Sequence, residues 1–273
     1  MNKKYKLIAF DIDGTILPFK DGEKNLPLSD TIKKMFKKLK EKGFIIAFST
    51  ARDIFTIGNK LDTPYVDYFI GGNGSFILDV QKKEYIFEKQ ISVEDFKVFY
   101  ENTKDLGIAF SIVGKNKGYY NEHFNINHWF YEPFKNDFFD ISEYFKAEDK
   151  SNFLITVISK EIPLTKKYYE NLFEWHNLDV TVQANWEGGI FIAAKGVNKA
   201  KGLEILTQKL NMTLDQVVAF GDSGNDREML EEVGLGVAMA NAEETLKEIA
   251  DDVAYHVDDF GTYKYLLEKG FID

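Results

Sequence analysis

Cysteine is missing altogether from the 273 residues, which excludes disulfides, thiolate metal sites, cysteine nucleophiles and iron–sulfur ligation. Proline is scarce, with 5 in the chain, too few to build a proline-rich linker. Cations are outnumbered: 34 Lys and Arg face 44 Asp and Glu, a formal charge of −10. That balance argues against a general nucleic-acid binder, whose phosphate contacts need clustered Lys and Arg. An acidic protein that handles phosphate is instead expected to recruit a cation. Apolar runs are short, and none approaches the ~18 residues of a membrane span, so no membrane partner is expected. After the basic Met1-Asn2-Lys3-Lys4 only Leu7 to Phe10 run apolar before Asp11, less than the ~7–15 residues of a secretory signal core. A cytoplasmic location is the expectation, and no obligate protein partner is inferred.

What is present suffices for a packed core. At about 150 residues per domain the length suggests two lobes or one large domain. The 44% apolar content set against 29% charged residues excludes a disordered chain.

Leu7-Ile8-Ala9-Phe10 is apolar without alternation, the pattern of a strand covered on both faces, and it stops at two aspartates. From Ser29, a suitable N-cap, Ile32, Met35, Phe36 and Leu39 recur at helical spacing, and Gly43 stands where a C-terminal glycine cap would fall. The lysines of this helix, among them Lys33, Lys34, Lys37 and Lys38, read as a solvated face. Phe44 to Phe48 form a second buried strand ending at Ser49-Thr50-Ala51-Arg52, with a helix expected from there to about Leu61. Tyr68 to Ile70 and Ser75 to Leu78, separated by Gly71-Gly72-Asn73-Gly74, read as a hairpin. The alternation predicts an α/β, doubly wound, Rossmann-like parallel sheet.

From residue 84 to 189 the texture changes to lysine-rich and acidic stretches with dense aromatics, and all three tryptophans, Trp129, Trp175 and Trp186, lie there. The segment reads as an inserted α+β cap between two parts of the core, 1–83 and 190–273. Tyr119 to Phe145 is the aromatic stretch, expected mainly to build the cap's own core. Trp186-Glu187-Gly188-Gly189, at the return, is a candidate hinge. The strand–helix rhythm resumes with Ile190 to Ala194, a helix from Lys199 to Leu210, the strand Val217 to Phe220, and two strand candidates at Gly234 to Met239 and Val253 to Val257.

Three strands end at polar candidates: Phe10 at Asp11, Phe48 at Thr50, Phe220 at Asp222. In a parallel sheet such ends share one edge, where sites form. Asp11-Ile12-Asp13-Gly14-Thr15 offers a carboxylate able to attack a substrate and a neighbour able to move protons. A calcium loop counted from Asp11 fails, with Ile16 at the required glycine and Gly22 at the required glutamate. Gly221-Asp222-Ser223-Gly224-Asn225-Asp226 repeats the arrangement, and converging acids repel unless a cation sits among them. Oxygen donors without His or Cys favour Mg²⁺. Asp226 can equally cap the following helix. Lys199 opens a helix whose positive end disfavours a cation unless an anion is near, although Lys201 could serve the same argument. Thr50, with its hydroxyl, and the Ala51 amide stand at the next helix start, a natural anion site. Gly234-Leu235-Gly236 lacks the remainder of a dinucleotide fingerprint, and His123, His128, His176 and His256 show no metal-ligand spacing.

Together these strand-end motifs resemble the haloacid dehalogenase-like phosphohydrolase superfamily, class IIB, the Cof-type phosphatases, whose large cap is inserted after the second motif. The resemblance implies that Asp11 is a nucleophile forming an aspartyl-phosphate and that Asp13 protonates the leaving alcohol and then activates water. It implies that Asp11, the Asp13 backbone carbonyl and Asp222 hold Mg²⁺ with Asp226 in support, and that Thr50, Ala51, Lys199 and Asn225 bind the phosphoryl group. The substrate so implied is a small phosphorylated metabolite, a sugar phosphate or a phosphorylated cofactor such as FMN or pyridoxal phosphate. A phosphomutase with the same nucleophile and a non-catalytic binding module are the alternatives. Ala51 departs from the glycine that many relatives carry before the arginine, and its amide can still bind phosphate.

Overall fold

The computed structural model describes residues 4–18, 25–186 and 188–273. Contacts divide the chain into two units, one of residues Met1–Arg52, Ile57–Phe87 and Asn198–Asp273, the other of Asp53–Thr56 and Glu88–Val197.

The first unit begins with β1 (Leu7–Phe10), α1 (Asp30–Glu41), β2 (Ile45–Ser49), β3 (Tyr68–Gly71), β4 (Phe76–Asp79) and β5 (Glu84–Glu88). The second holds α2 (Val93–Glu101), β6 (Ala109–Val113), β7 (Gly118–Tyr120), β8 (Phe138–Asp140), α3 (Ile141–Lys146), β9 (Leu154–Ile158), α4 (Ile162–Trp175), β10 (Val180–Trp186) and β11 (Gly189–Ala194). The first unit then resumes with α5 (Lys199–Lys209), β12 (Val217–Gly221), α6 (Arg227–Glu232), β13 (Leu235–Ala238), α7 (Glu244–Lys247), β14 (Asp252–Val253) and α8 (Gly261–Glu268).

Eight strands form the larger sheet in the order β14-β13-β12-β1-β2-β3-β4-β5. Neighbours from β14 to β3 pair in parallel, and β4 returns antiparallel through the Gly72–Gly74 turn. The period-two alternation of a strand explains its two faces. Leu7 and Ala9 of β1 join the cluster with Leu203 and Leu206 of α5 and Met229 of α6. The Phe10 ring lies 5.4 Å from Phe36 of α1 and stacks at 5.3 Å on Phe220. Phe36 also meets Phe48 at 5.8 Å; burying one such ring is worth roughly 1.5–3 kcal/mol.

Helix α1 follows its sequence closely. The Ser29 side chain accepts a hydrogen bond from the Ile32 amide at 3.3 Å, the four apolar positions are buried, and Gly43 takes φ +80° just beyond the last turn. Its lysines stay on the solvent side, where Lys40 pairs with Asp67 and Lys42 with Asp273 at 2.6 Å each.

The second sheet, β10-β11-β9-β6-β7-β8, has six strands. Phe96, Phe99, Tyr144 and Tyr169 pack beneath it around Phe110 and Ile155, with the Phe99 and Tyr169 rings stacked at 5.2 Å. A smaller cluster around Val113, Phe134 and Phe138 gathers Tyr120, Ile126 and Tyr131. Within the aromatic stretch, Tyr119, Phe124, Phe134, Phe138 and Tyr144 are buried, whereas Phe139 and Phe145 are 37% and 39% exposed. Of the candidate hinge, Glu187 lies outside the described residues.

Three elements differ from the sequence reading. Ile190 to Ala194, expected with the larger sheet, pairs with β9 and β10 in the smaller one. An unbroken apolar run carries no signal for which sheet it joins, and here its register runs against β10 from Val180 paired with Ala194 to Trp186 paired with Gly189. The helix expected after Arg52 is absent over 53–57, where only Gly58–Leu61 make a 3₁₀ turn. Asp53 Oδ1 accepts from the Phe55 and Thr56 amides at 2.7 and 3.0 Å, a contact that closes a turn through the side chain, and the chain does not continue from it into an α-helix. The last strand is Asp252–Val253 rather than Val253 to Val257. No helix among the described residues is long and apolar enough to cross a membrane.

Candidate active site

Register brings the strand ends level. Phe10 pairs with Phe48 on one side and Phe220 on the other, so Asp11, Ser49-Thr50 and Gly221-Asp222 leave the sheet side by side. The strand order reverses direction at β1 and β12, the kind of crevice where open α/β sheets place their sites.

Beyond β1 the chain closes a tight loop. The Asp11 amide extends the ladder to the Phe220 carbonyl at 2.9 Å, and the Gly14 amide donates to the Leu17 carbonyl at 2.7 Å. Gly14 sits at φ +85°, and a Cβ there would fall 2.2 Å from Asp222 Oδ2. Both the left-handed backbone and the closeness of the carboxylate require glycine. Thr15 donates from Oγ1 to Asp222 Oδ1 at 2.8 Å. Asn241 Nδ2 holds the Gly14 carbonyl at 2.8 Å while its Oδ1 accepts from the Val257 amide at 3.0 Å.

Lys199 opens α5 behind the N-cap Asn198, whose Oδ1 accepts from the Lys201 amide at 2.7 Å. Its ammonium is 1% exposed and lies 2.7 Å from Asp11 Oδ1 and 2.6 Å from Asp226 Oδ1. Lys201 is exposed and pairs with Glu204 instead, so of the two lysines it is Lys199 that reaches the acids. The other oxygen of Asp226, Oδ2, accepts from the Asp222 and Ser223 amides at 3.0 and 3.1 Å. Asp226 therefore braces the β12 exit loop and anchors the lysine together.

Oxygens of Asp11, Asp222 and Asp226 lie within 4.8 Å of one another. Burial pushes the Asp11 carboxyl up to about 7, with Lys199 opposing and Asp226 adding to the rise. Burial, then Asp11 and Asp226, raise Asp222 to about 8. Burial works to lower Lys199, but Asp11 and Asp226 outweigh it and hold the ammonium above its ordinary range. Three carboxylates share one ammonium, and burial together with this crowding raises two of them. An all-oxygen donor set with this surplus fits a hard divalent cation.

The Asp13 carboxylate stands apart from that trio. It faces Arg52, with Nε 2.7 Å from Oδ2 and Nη2 2.7 Å from Oδ1. Thr50 is buried with its Oγ1 accepting from the Arg52 amide at 3.2 Å, and Ala51, between them, is partly exposed. Asn225 donates from Nδ2 to Asn73 Oδ1 at 2.9 Å, which ties the β12 loop to the β3–β4 turn. Thr15, Arg52, Asn73 and Asn241 were not singled out by sequence. Thr15 and Arg52 sit inside the motifs, while nothing local marks Asn73 and Asn241 as partners of loops some 150 to 230 residues away. The four histidines stay outside the cluster; His128 and His256 each accept a nearby backbone amide at Nδ1.

A model of the haloacid dehalogenase-like hydrolases matches residues 8–266. The chain is 30% identical over 250 residues to the 5-amino-6-(5-phospho-D-ribitylamino)uracil phosphatase YcsE of Bacillus subtilis, covering 90% of this chain and 88% of that protein. A Streptococcus pyogenes protein, whose name joins a phosphatase to a peptidyl-prolyl cis-trans isomerase, is 24% identical across 99% of this chain, which spans only 55% of its length. The solved subclass IIB sugar phosphatase BT4131 shares the fold with a TM-score of 0.80 at 23% identity, over 98% of this chain and 100% of that one. Sequence, fold and the convergence of acids on Lys199 thus agree that the chain belongs to the haloacid dehalogenase-like hydrolase family, among its phosphatases.

Proposed function

We propose that the protein is a Mg²⁺-dependent phosphatase that hydrolyses a small phosphorylated metabolite through an aspartyl-phosphate on Asp11. The observation that carries this reading is the gathering of Asp11, Asp222 and Asp226 within 4.8 Å around a buried Lys199 at the level ends of β1 and β12.

In the first half-reaction a bond forms between an Asp11 carboxylate oxygen and phosphorus while the bond to the leaving oxygen breaks, and Asp13 gives that oxygen its proton. In the second, Asp13 takes a proton from water, the water oxygen attacks phosphorus, and the bond to Asp11 breaks. Inorganic phosphate leaves and the Asp11 carboxylate is restored. Lys199, Thr50, the Ala51 amide and Asn225 are the donors for the phosphoryl oxygens, whose charge grows as the groups transfer. Mg²⁺, held by Asp11, Asp222 and the Asp13 carbonyl with Asp226 behind them, would neutralise part of that charge.

The leaving group is assigned to a sugar phosphate or a phosphorylated cofactor such as FMN or pyridoxal phosphate. The name of the B. subtilis relative, a phosphatase of a ribitylamino-uracil phosphate, supports a ring-bearing or polyol ester. Residues 88–197 are assigned the choice among such esters. The decisive experiment is Asp11→Asn assayed for phosphate release with Mg²⁺, together with mass spectrometry of acid-quenched wild type. Turnover is expected to fall by ~10³-fold or more and the adduct to map to Asp11. Near-normal release by the variant refutes the assignment.

A further inference from the structure

Asp13 is two residues beyond Asp11 on a loop, and a carboxyl group that moves protons must present one oxygen to the leaving group. The loop itself does not fix the carboxylate plane. Arg52 does. Its Nε and Nη2 meet the two Asp13 oxygens separately, each at 2.7 Å, a fork-to-fork pair that fixes orientation as well as position. The guanidinium is itself immobilised. Its side chain is only 9% exposed, its backbone amide donates to Thr50 Oγ1 at 3.2 Å, and its carbonyl accepts from the Gly72 amide at 2.9 Å. Lys60, fully buried on the 3₁₀ turn a few residues later, lies close enough to repel Arg52 and attract Asp13.

We propose that Arg52 is the positioning residue for Asp13, holding its carboxyl plane by a two-point contact so that one oxygen serves the leaving group and then the attacking water. The inference rests on Asp13 as the proton-transfer group. It separates Arg52 from the phosphate donors: a phosphate ligand would act on every ester alike, whereas a residue acting through Asp13 acts according to how much the leaving oxygen needs a proton.

The test follows the first half-reaction by rapid quench, using p-nitrophenyl phosphate, whose leaving group departs without a proton, and glycerol phosphate, whose leaving group requires one. In Arg52→Gln, phosphorylation from glycerol phosphate is expected to slow by ~10²-fold, the low end of general-acid contributions. A burst of about one nitrophenol per enzyme is expected to persist, because misorientation spares that departure and slows only the second half-reaction. Arg52→Lys keeps a cation but loses the fork, and is expected to show the same selectivity at smaller amplitude. It carries the test if the glutamine variant does not fold. Equal losses on both esters, or a rise in KM without a change in the phosphorylation rate, overturn the inference. Should wild type show no phosphorylated Asp11 at all, the underlying reading fails; an adduct with leaving-group-independent losses sinks only the role of Arg52.

Discussion

Burial and charge crowding at the strand ends are expected to make metal binding and proton release one event. Asp11 and Asp222 stand at about 7 and about 8 against an ordinary 3.8, so without metal the folded protein holds more protons than the unfolded chain. The resulting cost is absent below pH 3.8, grows as pH rises, and is complete only above both folded values. For Asp11 alone, going from about pH 5.5 to about pH 7 costs on the order of 2 kcal/mol, since a proton held by the folded chain alone costs a little over 1 kcal/mol for each pH step of one. That corresponds to a melting point lower by ~3–8 °C for a chain of this size. Carboxylates whose values are lowered, such as Asp79 and Asp252, have finished titrating below this window and do not blur it. A divalent cation needs the carboxylates ionised, so Mg²⁺ is expected to expel about one to two protons per ion near pH 6.5 and to stabilise more as pH rises. Calorimetric titration of EDTA-treated protein in two buffers of different ionisation enthalpy counts those protons, and melting curves with and without Mg²⁺ at the two pH values give the stabilisation. Mg²⁺ binding with no proton release, and with the same melting shift at both pH values, would show that the acids are not the ligands or do not crowd one another.

Other expectations are more local. Gly14→Ala places a methyl 2.2 Å from Asp222 Oδ2 at φ +85°, and should weaken Mg²⁺ activation by ~10–100-fold, as displaced ligand supports do; an unchanged Mg²⁺ titration contradicts this. Asp13→Asn is expected to slow both half-reactions, so p-nitrophenyl phosphate turnover left intact in steady state would remove Asp13 from proton transfer. Burial and the Arg52 charge lower Lys60 to about 8. Its cost to stability is therefore full below that value and fades as pH climbs towards 10.5. Lys60→Met is expected to gain ~1–2 kcal/mol at about pH 7, a gain that urea unfolding should show shrinking by about pH 10.

How much of this could be read from residues alone depended on where the information lies. The strand ends were legible because an apolar run stopped by an aspartate is a local signal, and parallel pairing turns three such stops into one edge. Helix α1 was legible because cap, period and terminal glycine agree. Whether Lys199 or Lys201 meets the acids was not, since both open the same helix and only packing against β1 and β12 buries one of them. The placement of β11 depended on a pairing choice with no local trace. The turns at 53–57 went unseen because the Asp53 and Thr56 side chains close them with the same contacts that open a helix, so the local signal does not tell one from the other. The fork between Arg52 and Asp13 joins two loops 39 positions apart, and neither loop announces the other.

Asp226 spends one oxygen on Lys199 and the other on the amides that shape the turn after β12. A shift of this one carboxylate would at once take a counter-ion from the lysine and two acceptor contacts from the turn. Damage to Asp226 is therefore expected to disturb the turn and the lysine together.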